Sequence, residues 1–167
     1  ECESRVRFYE GNEPLFEQYG IDHQMEKAYE RRVWLKSGGY LVIDHAEALT
    51  AIDVNTGKFV GKHSFEETVF AINCEAAAEI AHQLRLRDVG GIVVIDFIDM
   101  EESAHVEELL KLLEQEMEKD RVPAKVIDMT ALGLVEITRK KVRKPLYELL
   151  GKGKDGEWKP EAADTDE

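Results

Sequence analysis

Two aspartates in strand-like apolar stretches are the side chains of this chain best suited to chemistry. Asp53 lies in Ala-Ile-Asp-Val-Asn at residues 51–55, and Asp96 lies in Val-Val-Ile-Asp-Phe-Ile-Asp at residues 93–99. A carboxylate beside a buried strand is costly unless it is paired, and a hard cation bound through oxygen is a suitable partner. Two such acids on adjacent strands predict a Mg²⁺ site of the kind used in phosphodiester hydrolysis. The alternative is that both are ordinary strand-end acids that accept hydrogen bonds in turns.

Two further polar side chains flank these acids. Asn55 follows Asp53 by two residues, and side chains two apart on an extended strand project to the same side. Asn55 can therefore orient Asp53 or donate a hydrogen bond to a phosphate beside the ion. Asp99 follows Asp96 at the exit of the second strand. Because ligands of open α/β sheets gather at the carboxyl ends of strands, we expect the site at that edge.

Basic residues concentrate in two segments that could contact the phosphates of a nucleic acid. Arg85 and Arg87 end a predicted helix, and Arg139, Lys140 and Lys141 begin the densest basic run. Both segments also have a simpler interpretation. Cations at a helix C-terminus are favourable to the helix dipole, and a basic run on a helix can be a solvated face.

Composition limits the classes of protein that the chain can represent. Its 167 residues, 43% of them hydrophobic and 34% charged, suit one domain with a substantial core. The net charge of −13 opposes strong binding of phosphates by this chain alone. No apolar run approaches the roughly 20 residues of a membrane helix. Cys2 and Cys74 lack metal-ligand spacing, and P-loop, dinucleotide and zinc motifs are absent. We expect a reducing, cytoplasmic setting.

The elements that must position these residues predict an α/β fold, a mixed β-sheet flanked by helices. A short strand within residues 1–20 precedes a helix from Asp22 to about Arg32, and strands at 40–43 and 49–54 form a hairpin. A loop at 56–65 leads into a helix at 66–88, which a left-handed stop at Gly90-Gly91 ends. The continuous apolar run 92–98 predicts a central strand buried on both faces. A helix at 102–120, strands at 125–129 and 134–138, and a helix at 139–150 follow.

Several segments together resemble a known family. They are Ser-Gly-Gly-Tyr-Leu-Val-Ile-Asp at 37–44, Glu-Ala-Leu-Thr-Ala-Ile-Asp-Val-Asn-Thr-Gly at 47–57, Gln-Leu-Arg-Leu-Arg-Asp-Val-Gly-Gly-Ile-Val-Val-Ile-Asp-Phe-Ile-Asp-Met at 83–100 and Leu-Gly-Leu-Val-Glu-Ile-Thr-Arg-Lys-Lys-Val-Arg at 132–143. In this order they resemble the catalytic part of the bacterial ribonuclease E/G family. The resemblance covers about residues 5–150.

The resemblance implies an Mg²⁺-dependent endoribonuclease, with Mn²⁺ as a substitute ion, that acts on single-stranded, AU-rich RNA. It implies that Asp53 and Asp96 hold the metal and that Asn55 assists them. Water activated by the ion would attack the phosphate in line and leave a 5′-phosphate and a 3′-hydroxyl. Residues 1–28 would end an RNase H-like part, 29–150 would form a DNase I-like catalytic domain, and 151–167 an acidic disordered tail.

The chain also departs from the family pattern. The family's cysteine-rich zinc linker is expected near Leu150, where no cysteine occurs, so we expect no zinc here. Pro123 stands at a position that is usually basic, so Arg121 or Lys125 would take over its RNA contact. These departures and the acidic charge keep open a non-enzymatic RNA-binding or assembly module. The likeness to DNase I keeps open a general nuclease that also cuts DNA. Exposed sheet edges make a homodimer one expected assembly.

Overall fold

The fold is organised around a six-stranded sheet in a computed structural model that describes residues 6–57 and 65–149. In chain order, the strands are β1 (Arg32–Trp34), β2 (Tyr40–His45), β3 (Leu49–Asn55), β4 (Gly91–Asp96), β5 (Ala124–Met129) and β6 (Leu134–Arg139). Their spatial order is β1-β2-β3-β4-β6-β5. β3 and β4 run parallel, whereas the other neighbouring pairs run antiparallel. The predicted α/β fold with a mixed sheet is confirmed.

Two long helices build the second layer of the fold. The helices are α1 (Leu15–Gln18), α2 (Ile21–Lys27), α3 (Phe65–Leu86), α4 (Ser103–Glu118) and α5 (Leu146–Leu149). α3 connects β3 to β4, and such a crossover is what allows these two strands to run parallel. α4 packs beside α3 and against β5.

The sheet has one covered face and one open face. In β3, Thr50, Ile52 and Val54 are buried, while Ala51 and Asp53 between them are exposed. The covered face packs against apolar residues of α3 and α4 to form the core; those that are fully buried include Leu41, Ile52, Ile72, Ile80, Leu84, Val93, Ile95, Leu109, Leu113 and Ile137. No residue of the open face belongs to this core within the described part of the chain.

The prediction that 92–98 is buried on both faces is wrong. Val93 and Ile95 are fully buried, but Ile92, which precedes Val93 on the same strand, is 50% exposed. The apolar run is unbroken in the sequence because Ile92 and Val94 are apolar too. These two side chains lie on the open face, where no described helix covers them. A burial pattern of period two is what one covered face produces.

Three predicted elements differ from the structure, and one strand was not predicted. The strand expected within residues 1–20 is absent from the described residues 6–20, and the helix expected to reach Arg32 ends at Lys27. Arg32 instead begins β1, which pairs with β2. A strand of three residues is too short to be predicted from its own sequence. Residues 139–150 are not one helix, because Arg139 pairs within the sheet and α5 begins only after Pro145.

The helix stop after α3 lies earlier than predicted. Asp88, and not Gly90, takes the left-handed conformation, with φ of 49°. The amide of Val89 donates to the carbonyl oxygen of Leu84 at 3.0 Å and closes the end of the helix. A non-glycine residue in this region is uncommon, and side chains of the basic run hold Asp88 in place.

The predicted domain boundary near residue 28 falls between α2 and β1. The assignments of 1–28 and 29–150 to two domains stay predictions, as does a homodimer through the edge strands β1 and β5. Most of the 56–65 loop and all of the 151–167 tail lie outside the described residues. Among the described helices, none has the length and apolar character needed to cross a membrane.

Candidate active site

Asp53 and Asp96 lie side by side at the carboxyl ends of the two parallel strands. They are register partners in the β3–β4 pair, so their backbones are one strand spacing apart, about 4.8 Å. Both side chains are exposed and belong to the open face of the sheet. The predicted juxtaposition on adjacent strands is therefore present.

Asn55 lies on the same face as Asp53 and contacts it directly. Its side-chain Nδ2–H donates to Oδ2 of Asp53 at 2.7 Å. This bond holds one carboxylate oxygen of Asp53, and no residue in the described part of the chain donates to the other, which can face a ligand. Among the described residues, none donates a hydrogen bond to the carboxylate of Asp96. Two like charges opposite each other on neighbouring strands are unfavourable for stability, which points to a role outside folding.

A buried asparagine that the sequence analysis did not assign a role anchors the strand exit after Asp96. Asn73 of α3 is fully buried. Its Nδ2–H donates to the carbonyl oxygen of Ile98 at 2.8 Å, and its Oδ1 accepts from the amide of Ile98 at 3.1 Å. Both ends of the amide are thus used to fix the backbone two residues beyond Asp96. The signal in the sequence is an amide on an otherwise apolar helix face.

A tight turn supports the end of β3 from the other side. An added Cβ on Gly39 would lie 2.8 Å from the carbonyl oxygen of Asn55, so only glycine allows this approach. The carboxylate of Glu75 accepts from the amides of Lys36 at 2.6 Å and Ser37 at 3.1 Å, which ties the turn to α3. The backbone that carries Asn55 is therefore clamped between the turn and the helix layer.

The donor set fits a magnesium ion. Mg²⁺ in proteins is commonly held by one or two carboxylates, with waters and substrate phosphates completing six oxygen ligands. Asp53 and Asp96 supply such a pair on an open face. The described residues contain no group of three His, Cys, Asp or Glu side chains able to hold a metal, so a closed, all-protein cage is not formed there.

The sequence Val-Ile-Asp occurs three times, and the structure distinguishes the three acids. Asp44 is held by Arg31 through Nη2 at 2.6 Å and through Nε. Its pKa is lowered, because Arg31 donates these hydrogen bonds. Asp128 accepts from the amide of Met129 at 2.8 Å, as a strand-end acid does. Asp128 lies opposite Glu136 in the antiparallel β5–β6 pair. Asp96 is the acid of the three that lies opposite Asp53, the carboxylate that Asn55 orients.

Two of the arginines predicted to bind RNA are buried in the fold. Arg87 is 4% exposed, and it donates to Oε1 of Gln83 and to the carbonyl oxygen of Glu30. Burial lowers the pKa of Arg87 to about 10. Arg139 is also 4% exposed and bonds to Asp88 and Asp120. These contacts give both guanidinium groups a structural role, and an RNA contact by either stays a prediction.

The third arginine of this set is half-buried. Nη1 of Arg85 donates to the carbonyl oxygen of Glu116 at 3.0 Å and connects α3 to the last turn of α4. It lies on the helix layer, away from the open face. An RNA contact by Arg85 stays a prediction.

The exposed members of the predicted RNA-binding set lie at the opposite end of the sheet from the acid pair. Lys125, Lys140, Lys141 and Arg121 are all exposed. Arg139, which precedes Lys140, pairs with Gly91 at the start of β4, whereas Leu134 pairs with Asp96 at its end. Five residues of strand separate the two ends, about 17 Å. The structure therefore does not bring the basic run together with the acids, although the open face connects them.

Comparison with known proteins places the chain in one family. Residues 1–142 match the model of the ribonuclease E/G family. The chain is 47% identical over 150 residues to ribonuclease G of Escherichia coli K12, a match of 90% of this chain and 31% of that protein. It is 44% identical over 145 residues to ribonuclease E of the same organism, covering 87% of this chain and 14% of that protein. The chain thus spans about a third or less of these relatives, and it belongs to the ribonuclease E/G family.

Proposed function

We propose that this chain carries the metal-binding centre of an endoribonuclease that requires Mg²⁺. The observation that supports this most strongly is the register pairing of Asp53 and Asp96 on the open face. Their repulsion opposes folding, and a divalent cation between them would remove it. Family membership and relatives that are named ribonucleases support RNA as the substrate.

Each residue of the centre has a separate task in this proposal. Asp53 and Asp96 hold the ion, and Asn55 fixes the orientation of Asp53 through its amide. Asn73 and the turn at Gly39 keep the two strand ends in place, so the acids need not reorganise when substrate arrives. When bound, Mg²⁺ supplies a Lewis acid for the charge that develops on the phosphate. The open face leaves room for the RNA backbone beside the acids.

Binding of Mn²⁺ to the whole chain tests the centre without relying on catalysis. We expect paramagnetic broadening of backbone NMR signals centred on Asp53, Asn55 and Asp96, and its loss in Asp53→Asn. Mg²⁺ added in excess should reverse the broadening, because both ions compete for the same oxygen ligands. Asp128→Asn serves as the control and should broaden like the wild type. Broadening that is absent, or that persists in Asp53→Asn, would contradict the site.

We further propose that the substrate is single-stranded, AU-rich RNA and that the products carry 5′-phosphate and 3′-hydroxyl ends. The support is the resemblance of the segments at 47–57 and 83–100 to the family's catalytic part. End-labelled RNA of A/U and G/C composition, its duplex and the matching DNA should be compared as substrates. Cleavage of DNA at a similar rate would favour a general nuclease, and 2′,3′-cyclic ends would contradict hydrolysis by water.

A non-enzymatic RNA-binding or assembly module is the second candidate. The net charge of −13 and the distance between the acid pair and the exposed basic residues favour it. This alternative predicts RNA binding that is unaffected by Asp53→Asn and no localised Mn²⁺ broadening. The metal experiment therefore separates the two functions.

Replacing Lys140 and Lys141 together by alanine is expected to weaken RNA binding and to reduce its dependence on salt. Each contact between a lysine and a phosphate contributes a slope of about 0.7 in a plot of log affinity against log salt for single strands. Loss of both contacts should lower the slope by about 1.4. Binding titrations at several salt concentrations measure this.

The matched control is Lys111→Ala with Lys119→Ala. Lys111 is exposed on α4 and Lys119 is exposed at the C-cap of that helix, on the other side of the sheet. This pair changes the net charge by the same amount and should leave the slope unchanged. Equal slopes in the Lys140/Lys141 variant and the wild type would show that the basic run is only a solvated surface.

A further inference from the structure

Three side chains on the open face form a cluster that has no task in the proposed metal site. We call Asp53, Asn55 and Asp96 the acid centre. Trp34 is 62% exposed, and its ring lies 5.2 Å from the ring of Tyr40, centroid to centroid, at an interplanar angle of 58°. The guanidinium carbon of Arg32 lies 4.5 Å from the Tyr40 centroid and 5.7 Å from the Trp34 centroid. We name Arg32, Trp34 and Tyr40 the aromatic platform.

The aromatic platform lies in the same rows of the sheet as the acid centre. Trp34 pairs with Tyr40, and Tyr40 pairs with Asn55, which is bonded to Asp53. One row further, Arg32 pairs with Val42, and Val42 pairs with Asp53. Two strand spacings, about 10 Å, therefore separate the platform strand from the acid strand. This is the end of the sheet at which the acids lie, opposite the exposed lysines.

The chemistry of the platform specifies its ligand. An exposed tryptophan on an edge strand leaves a large apolar ring in water. Arg32 lies over the rings and is not paired with a carboxylate in the described part of the chain, so its donors are available to an anion. A planar ring joined to a phosphate satisfies both groups, and every nucleotide has this combination. In a duplex the base faces are already stacked, so the platform can accept only an unpaired base.

We propose that the aromatic platform stacks one base of single-stranded RNA beside the acid centre and that Arg32 contacts a phosphate of the same strand. The inference rests on the proposed endoribonuclease function and adds the element that selects single strands. It also gives the chain a cationic contact close to the acids, where the basic run is too distant. Stacking one base at this place positions a neighbouring phosphate over Asp53 and Asp96.

Fluorescence of Trp34 tests the proposal directly. The other tryptophan is replaced in a Trp158→Phe background, and Asp53→Asn is added so that the RNA is not cut. A short A/U oligoribonucleotide is titrated in. We expect quenching of Trp34 in the parent protein. Because Trp34→Ala has no tryptophan in this background, its affinity is measured by the anisotropy of a dye-labelled oligoribonucleotide. It should be about 5- to 150-fold weaker, the range for loss of one stacked base. Trp34→Phe should recover most of the affinity. An oligonucleotide with one abasic position should bind both proteins with similar, weak affinity.

The matched control is Ile127→Ala, which removes a hydrophobic side chain that is 48% exposed on the opposite edge strand. It should not alter binding. RNA that leaves Trp34 fluorescence unchanged, or that binds Trp34→Ala as tightly as the parent, would overturn the platform. Cleavage by the wild type without quenching would refute the platform and leave the proposed function standing. Quenching without cleavage would do the reverse.

Discussion

Asp96→Asn is expected to lower RNA cleavage at least about 10³-fold while leaving the fold intact. The loss corresponds to several kcal/mol of transition-state stabilisation, which is what a metal ion at a phosphoryl group supplies. The same loss is expected for Asp53→Asn. Both side chains are exposed and neither takes part in the core, so unfolding should shift by no more than about 0.5 kcal/mol. Removal of one of two facing like charges should even stabilise the chain slightly. Cleavage assays and thermal melts on the same preparations measure both effects.

Asp128→Asn is the matched control for this prediction. Asp128 ends the sequence Val-Ile-Asp on β5, as Asp96 does on β4, and it is also exposed. Its register partner is Glu136 and not Asp53, so its replacement leaves the Asp53–Asp96 pair intact and should leave cleavage unchanged. Similar losses in Asp96→Asn and Asp128→Asn would show a general effect of charge. Unfolding of Asp53→Asn or Asp96→Asn would show that the acids are structural.

Arg139→Met is expected to destabilise the fold by about 3 kcal/mol or more. The side chain of Arg139 is 3% exposed and joins Asp88, 13% exposed, to Asp120, 5% exposed. Removing the shared cation leaves two largely buried carboxylates without their partner, which costs about 3–5 kcal/mol when a buried pair is broken. Asp88 retains Arg143, whose side chain is exposed. The lower end of that range is therefore expected. Chemical denaturation at neutral pH measures the change.

The destabilisation by Arg139→Met should diminish in acid. Burial acts to raise the pKa of Asp88 and of Asp120. The hydrogen bonds and charge of Arg139, together with Arg143 at Asp88 and the Val122 amide at Asp120, outweigh it, so both pKa values lie below the ordinary value. Stability gained from a lowered pKa is present above the unfolded pKa, about 3.9, and is lost as pH falls through the folded pKa. The wild type should therefore lose stability below about pH 4. In the variant Asp120 has lost its cation and Asp88 keeps Arg143 alone, so protonation of Asp120 relieves the buried charge and the two stabilities should converge.

Lys140→Met provides the control for this prediction. Lys140 follows Arg139 directly and carries the same charge, but it is exposed. Its replacement should change stability by no more than about 0.5 kcal/mol at any pH. An Arg139→Met variant as stable as Lys140→Met, or a difference that does not depend on pH, would show that the Asp88–Arg139–Asp120 cluster contributes nothing to folding.

The acid centre could be predicted from the sequence because its geometry follows from local rules. Alternation along β3 places Asp53 and Asn55 on one side, and their hydrogen bond confirms this. The crossover helix between the two strands makes β3 and β4 parallel, which brings their carboxyl ends to one edge. The three-residue strand β1 was not predictable in this way, since its pairing with β2 and not its own propensity forms it. The aromatic platform was not predicted either, because Arg32 and Trp34 lie on this strand.

The sequence by itself determined the α/β class, the long helices, the hairpin and the pairing of Asp53 with Asp96, because hydrophobic period and chain connectivity carry this information. Only the tertiary structure decided which basic side chains are exposed and which are buried. Arg87 and Arg139 read as surface charges in the sequence, yet both are buried by contacts with residues far away in the chain. Only the tertiary structure, likewise, left one face of the sheet open and set Trp34 beside the acids. Burial and exposure depend on which elements pack against each other in the fold. A local sequence pattern does not specify these contacts between distant segments.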